Sequence, residues 1–411
     1  MAKFNIIDLF AGCGGLLDGF LHEGNYTHVA SVEWEEKPVL TLRKRLKDRW
    51  NDMDAEKSVI RFDMQRTEEL LYGFDDQVYG KSEGMVKVVG NNTVDMIIGG
   101  PPCQAYSVAG RISDKDSMKK DYRNYLFEYY LKIVNYFKPK LFVFENVPGM
   151  LSAMPDGTPI INLIKRDIEE NGYEIIDDIK RYAIIDASQF GVPQQRRRVI
   201  LVGLNKDYFA SEDRQAMLKD FYENILPLQF KPVKTVQDAI GDMPKSWPLA
   251  EPIRLNGKKF SHSIPNYDVS WHLPRFASSR DWQIFKLLAQ DLQSGKNEYD
   301  DVNKLCELYN KTTGANTKVH KYHVLRPNLP STTILAHLYK DGLRFIHYDP
   351  EQARTITVRE AARLQSFDDD FEFIGSQGDA YKMIGNAVPV ELAKSIARAI
   401  ATLIKKYKGE N

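Results

Sequence analysis

The sequence predicts an α/β fold, a Rossmann-like doubly wound sheet, with a smaller irregular region inserted late in the chain. Three observations carry that prediction. Short apolar runs alternate with longer helical patterns through the first two hundred residues. A Gly-rich turn directly follows the first run. The alternation then fades into a Pro-rich stretch before helical patterns return near the C-terminus. Strands alternating with helices are the pattern of a parallel sheet with crossover helices.

Taken in order, strand-like runs fall at 4–9, 28–33, 94–98, 141–145 and 199–204. Several end in a turn bearing Gly, Pro or an acid. A helix-like segment covers 16–23. Another covers 122–137, where Leu126, Tyr130, Ile133 and Phe137 share one face, and it ends near Pro139. From about Asn205 the alternation is lost. Residues 227–275 are rich in Pro, with scattered Lys, Arg, Trp and His. Helical patterns resume at 281–292 and 358–365. The last segment, 389–407, sets Ala393, Ile396, Ala397, Ile400, Leu403 and Ile404 on one face. Pro389 suits its first turn, and Lys405, Lys406 and Lys408 suit its C-terminal dipole. No internal repeat is visible.

Bulk composition narrows the function classes. At 411 residues the chain exceeds one ordinary domain. Its formal net charge is zero, so any nucleic-acid surface must be local. The three cysteines, Cys13, Cys103 and Cys306, are far apart and form no CxxC pair. That spacing argues against a disulfide scaffold or structural zinc and suits a reducing cytoplasm. His320, Lys321, Tyr322 and His323 lack a neighbouring cysteine or acid pattern, so no metal site is expected. The segment 4–21 is apolar, but Asp8 interrupts it and it is too short for an export signal. No uncharged apolar run approaches the roughly 18–20 residues of a membrane span.

The strand ends hold the chemistry, because ligands of open α/β sheets bind beyond the carboxyl ends of the strands. In IIDLFAGCGG, Gly12, Gly14 and Gly15 follow a strand and precede a helix. The G-x-G-G spacing is not the dinucleotide fingerprint, and such a turn alone is as often a tight turn as a ligand loop. Glu33 ends the next strand about 20 residues on, where an acid can grip ribose hydroxyls. Trp34 is placed to stack on a base or to fill core. Asp63, after Ile60 and Phe62, can accept from an adenine amine or stand solvated. Together these suit a nucleoside cofactor without a pyrophosphate, S-adenosylmethionine being the natural candidate.

In GGPPCQAYS, Cys103 stands at a strand end on a rigid Pro101–Pro102 support, where a nucleophile belongs. A cysteine inside a strand would instead be inert. Glu145 closes the apolar run LFVF, and a carboxylate there costs free energy unless it is paired or protonated. In QFGVPQQRRRVI, Arg196 and Arg198 point to one face and Arg197 to the other. A solvated or phosphate-binding role remains the simple account of Arg197.

The ordered set of blocks resembles the DNA (cytosine-5) methyltransferase family of bacterial and phage modification enzymes. The blocks are DLFAGCGG, Glu33–Trp34, Asp63, GGPPCQAYS, the stretch ending FENVPGM, QFGVPQQRRRVI, RTITVREAARLQSF and IGNAVPVELA. The resemblance implies transfer of a methyl group from S-adenosylmethionine to carbon 5 of a cytosine flipped out of double-stranded DNA. It implies Cys103 as nucleophile, Glu145 on ring nitrogen 3 and the amine, and Arg198, supported by Arg196, at the base. Phe10, Gly12, Gly14, Gly15, Glu33, Trp34, Asp63 and Pro102 would line the cofactor pocket, with Asn386 and Val388 closing it. The catalytic domain is expected at 1–205 and 380–411, and the target-recognition domain at 206–379. The loop 107–121, with several basic residues, is expected to act as a lid. Lys258 and Lys259 are expected to contact phosphates. A cognate restriction endonuclease is the expected functional partner, with the enzyme itself a cytoplasmic monomer.

One departure stands out: the stretch between Asp63 and Cys103 is longer than the family's pattern, with an insert near 73–92. Rival readings are an RNA cytosine-5 methyltransferase on the same scaffold, a non-catalytic DNA-binding relative, and an unrelated cysteine enzyme. Retention of Cys103, Glu145 and Arg198 argues against the second. Histidines in the first two hundred residues are limited to His22 and His28, away from the strand-end sites, which argues against a Cys–His dyad.

Overall fold

A computed structural model describes residues 3–409, apart from 103–124, 155–156, 211, 256, 267, 317, 319–320 and 341. By contacts the chain divides into two compact units. The first comprises Met1–Gly191, Arg196–Pro232 and Ala387–Asn411, and the second comprises Val192–Gln195 and Val233–Asn386.

The first unit is built on one sheet. Its strands are β1 (Phe4–Leu9), β2 (Tyr26–Glu33), β3 (Val59–Arg61), β6 (Met96–Gly99), β7 (Leu141–Asn146), β8 (Tyr173–Glu174), β9 (Ile184–Asp186) and β10 (Arg197–Asn205). The order across the sheet is β3-β2-β1-β6-β7-β10-β8, with β9 also paired to β10. β3, β2, β1, β6 and β7 are mutually parallel, while β10 runs antiparallel to β7. The order reverses direction between β1 and β6, so a crevice opens beyond their carboxyl ends. The continuous apolar runs are explained by burial on both faces: Ile6, Ile7, Ile97, Ile98, Phe142 and Val143 are inaccessible to solvent.

The helix Gly15–Glu23 leaves the Gly-rich turn and packs against the C-terminal helix Val390–Lys408. Gly19 permits that approach: a Cβ there would lie 2.4 Å from the Ala393 Cβ. The Tyr26 hydroxyl donates to the Ala397 carbonyl at 2.7 Å, fastening β2 to the same helix. All six residues of the predicted apolar face of the C-terminal helix are buried. The helix Glu36–Trp50 carries no obvious sequence signal because charge dominates it, yet Val39, Leu42 and Leu46 form its buried stripe. Its Arg45 guanidinium donates to both oxygens of Asp18, at 2.8 and 3.0 Å, in a buried pair.

The insert near 73–92 folds onto the end of β3. Strands β4 (Phe74–Asp76) and β5 (Gly80–Ser82) pair antiparallel, followed by the short helix Met85–Val89. Phe74 stacks on Phe62 with ring centroids 3.8 Å apart. Arg66 donates to Asp76 at 2.7 Å.

The second unit is more irregular. It holds the two-stranded ribbon β11 (Pro248–Leu255) and β12 (Lys258–His262). Its helices include Ser279–Ser294, Val302–Thr313, Val358–Leu364 and Gln377–Asn386. One core cluster gathers Ile284, Phe285, Leu288, Leu305, Tyr322 and Ile346. Elsewhere the unit is held by a buried polar network. Arg354 donates to both oxygens of Glu360 at 2.7 Å, and Glu360 also accepts from the Thr357 backbone N–H in a capping box. Burial pushes the pKa of His347, near Glu360, down to about 3, so it is neutral at ordinary pH. No helix among the described residues is long and apolar enough to cross a membrane.

Candidate active site

Two groups of residues converge at the carboxyl ends of the parallel strands. The first surrounds the Gly-rich turn. Phe10, Gly12 and Gly14 all have positive φ, at 57°, 56° and 90°. Only glycine adopts such angles without strain, so Phe10 is a backbone cost at this loop. The Ala11 N–H donates to the Val32 carbonyl at 3.0 Å, tying the loop to β2. A side chain at Gly12 would meet nothing within 4 Å, which leaves open space over the loop.

Glu33 faces this turn. One carboxylate oxygen accepts from the Gly12 N–H at 2.9 Å, and the other from the Trp34 and Glu35 N–H groups, each at 2.9 Å. Burial, against those donors, pushes its pKa up to about 6. Trp34 beside it is half exposed, as a stacking platform would be and a core residue would not. Asp63 is partly buried and accepts from the Gln65 N–H at 3.0 Å. Below the loop lies Asp8, buried, with one carboxyl oxygen lacking a hydrogen-bond partner among the described residues. Burial, then the charge of Glu33, raises its pKa well above the usual carboxylate range. Open space, a gripping acid, an exposed indole and an unsatisfied buried acid fit a nucleoside ligand. Sequence reasoning passed over Asp8, although an acid inside an apolar strand was the signal.

The second group lies at the ends of β6, β7 and β10. After Gly99 the chain enters Gly100-Pro101-Pro102, with Pro101 buried. A Cβ at Gly100 would stand 2.5 Å from a Glu145 carboxylate oxygen, so this glycine lets the turn lie against that acid. The Asn146 amide donates to the Pro101 carbonyl at 3.2 Å and fixes the turn to β7. Asn146 was also unnamed at the sequence level. Cys103, two residues beyond Pro101, lies outside the described residues, as does the loop 107–121.

Glu145 is held by Arg198, whose Nε stands 2.8 Å from a carboxylate oxygen, with both side chains nearly buried. Of the two remedies for a carboxylate at that strand end, pairing is the one present. Burial lowers the pKa of Arg198, and Glu145 opposes that shift. Arg196 is buried and donates to the Ala387 carbonyl at 3.0 Å, while Arg197 is exposed, as the alternation predicts. Val388 is buried in the first unit. Asn386 is exposed at the end of its helix and belongs to the second unit.

The sequence profile described as "C-5 cytosine-specific DNA methylase" matches residues 4–402. The chain is 33% identical to the Type II methyltransferase M.Bpa9945I of Bacillus paralicheniformis, over 98% of this chain and 99% of that one. It is 29% identical to the Type II methyltransferase M1.HphI of Haemophilus parahaemolyticus, over 96% and 86% of the two chains. Among solved structures, a putative DNA modification methyltransferase encoded within an E. coli prophage superposes with a TM-score of 0.64 at 22% identity, covering 98% of this chain and 100% of that one. The S. pombe Dnmt2 methyltransferase gives 0.53 at 15% identity, covering 99% of each chain. At such identities the structural likeness speaks for the fold alone.

Proposed function

The chain belongs to the C-5 cytosine-specific DNA methylase family, a family of S-adenosylmethionine-dependent enzymes, and from that premise we propose how its residues divide the work. The chain is a DNA cytosine-5 methyltransferase. Its first unit is the catalytic unit and its second reads the DNA target. Its relatives' Type II names support a modification role beside a restriction endonuclease, and the same reading takes the enzyme to be a cytoplasmic monomer.

Phe10, Gly12, Gly14, Gly15, Glu33, Trp34, Asp63, Pro102, Asn386 and Val388 would hold S-adenosylmethionine. When bound, that cofactor supplies an electrophilic methyl group. Carbon 5 of cytosine is a poor nucleophile, and the protein's task is to change that. Addition of the Cys103 thiolate to carbon 6 forms a C–S bond, breaks the ring's conjugation and makes carbon 5 enamine-like. Glu145 offsets the charge that addition places on ring nitrogen 3 by hydrogen bonding or proton donation there, and it also holds the exocyclic amine. Arg198 fixes the Glu145 carboxyl and faces the base, and Arg196 anchors the strand start to the Ala387 carbonyl. With the methyl group on carbon 5, loss of the proton there to a base restores the double bond and expels the thiolate. A stacked base is out of reach of this corner, so the cytosine must be flipped from the duplex.

The observation that carries this assignment is the Glu145–Arg198 pair lying against the Gly100–Pro102 turn that leads into Cys103. A duplex whose target cytosine carries fluorine at carbon 5 tests it. Fluorine cannot leave as a cation, so elimination is blocked and the protein should remain joined to DNA through Cys103. The joined species should need S-adenosylmethionine, survive boiling in detergent and run as a slower band on a denaturing gel. It should be absent with Cys103→Ala. Equal trapping by Cys103→Ala, or none by active enzyme at its own site, overturns the covalent route.

A further inference from the structure

The ribbon β11–β12 has features that its own stability does not explain. Gly257, directly before its second strand, has φ 77°. Near that end both faces are solvent-exposed: residues 251–255 and 257–259 are all exposed. The pairing sets Ile253 opposite Phe260 and Leu255 opposite Lys258, so these four share one face, while Arg254 and Lys259 face each other on the other. Ile253 and Leu255 are 41% and 47% exposed, so they contribute little to a core. Two-stranded ribbons of this kind are marginal on their own.

The charges sharpen the case. Like charges directly across a strand pair are destabilising, and Arg254 and Lys259 are such a pair. Glu251 is the one acid in the ribbon, set against Arg254, Lys258 and Lys259 on a chain of zero net charge. Elsewhere in the second unit Lys245, Arg280, Lys286, Lys304, Arg326 and Arg363 each hold a carboxylate. Arg254 and Lys258 have no carboxylate partner among the described residues, and Lys259 rests its ammonium over the Phe276 ring at 4.9 Å. A protruding element with uncompensated cations and bare apolar side chains is complementary to a groove lined with anions and base edges. The major groove of duplex DNA admits a two-stranded ribbon, and arginine is the side chain that grips guanine with two hydrogen bonds.

We propose that the β11–β12 ribbon enters the major groove of the target duplex and that Arg254 reads a base edge there. Lys258 and Lys259 flank it as phosphate contacts. The proposal rests on the reading of the chain as a DNA methyltransferase and adds which element and which residue carry its specificity.

The test uses the full-length protein. Bisulfite sequencing of DNA from cells expressing the wild type first gives the recognition sequence. Methylation is then measured on that duplex and on every single-base-pair variant of it, for wild type, Arg254→Ala, Lys258→Ala and, as a control, Lys245→Ala. All three side chains are exposed, and unchanged thermal melts verify that each variant folds. For Arg254→Ala, discrimination at one base pair should fall by about tenfold or more, with the salt dependence of binding nearly unchanged. Lys258→Ala should weaken binding on every duplex alike and lower the salt slope by about one. A uniform loss for Arg254→Ala with a shallower salt slope would make it a phosphate clamp and overturn the base-reading role. Wild-type discrimination in Arg254→Ala would place the ribbon off the bases. A wild type that methylates no duplex would instead overturn the functional reading itself, so the two failures are distinct.

Discussion

Replacing Arg354 with Met should be among the most damaging single changes in the second unit, though Arg354 has no proposed contact with cofactor or base. Its guanidinium donates to both Glu360 oxygens at 2.7 Å, to the Gln352 side chain at 2.7 and 3.2 Å, and to the Thr355 carbonyl at 3.2 Å. Both partners are inaccessible to solvent. Met fills similar volume, so the cavity cost is small and the electrostatic cost dominates. Glu360 would keep one strong donor, the Thr357 N–H, for a fully buried charge. Breaking a buried pair on one side typically costs about 3–5 kcal/mol.

Acid should narrow that gap. The Glu360 carboxyl lies well below its usual range because Arg354 overcomes the burial penalty. Its stabilising contribution is therefore present above the unfolded carboxylate pKa, roughly 4.3, and is lost as pH falls below it. His347 and His272 face the same group, and burial holds both below the ordinary imidazole value. Their neutral state also favours folding above roughly pH 6.5 and is lost on acidification. Without Arg354 the carboxyl protonates more readily and His347 loses a repelling charge. The difference between wild type and Arg354→Met should thus be largest near pH 7.5 and shrink by pH 4.5. Urea unfolding followed by circular dichroism at both pH values measures it. A cost under about 1 kcal/mol at pH 7.5, or a difference that does not change with pH, would refute this account of the network.

Three further outcomes are expected. Glu145→Gln should slow single-turnover methyl transfer by about 10²–10⁴-fold while changing DNA affinity much less, because an amide cannot supply an acidic proton; rapid-quench assays check it, and an unchanged rate removes Glu145 from the chemistry. If the ionised Glu33 grips the cofactor's ribose, calorimetric affinity for S-adenosylmethionine should tighten as pH rises through about 6, in the presence of the neighbouring acids Asp8 and Glu35, and Glu33→Gln should abolish that dependence. Gly19→Ala should lower the melting temperature although alanine favours helices by about 1 kcal/mol, since its Cβ would lie 2.4 Å from Ala393 and 2.5 Å from the Val390 carbonyl; a stabilised variant would show that the two helices are not in that contact.

Much of the first unit was legible because its signals are local. Strands buried on both faces announce themselves as apolar runs, and glycines at forced φ angles mark the turn. The residues at strand ends then follow from topology: Glu33 on the glycine loop, Glu145 on Arg198. The helix Glu36–Trp50 was not legible, since three buried aliphatics are outnumbered by charges whose partners lie elsewhere in sequence. The block RTITVREAARLQSF was legible as a family mark and opaque as physics. In sequence Arg354, Arg359 and Glu360 look like solvated charges, yet all are buried, with Arg359 donating to the Ser270, Asp368 and Phe371 carbonyls. A buried charge can be told from a solvated one only when its partner is known, and that partner is a product of the fold. Asn146 is similar: its use depends on Pro101, forty-five positions earlier in the chain.

The contact between Gly19 and the C-terminal helix also sets a clock on synthesis. The helix Gly15–Glu23 leaves the ribosome well before the helix Val390–Lys408 that covers it. Roughly 370 residues separate them, so at about 5–20 residues per second the apolar face of the first helix waits on the order of 20–75 s for its cover. Throughout that interval the nascent β1–β2 region presents an open face to chaperones and to neighbouring chains. Messages truncated before the helix Val390–Lys408 should therefore give products that associate or are degraded, however complete their sheet.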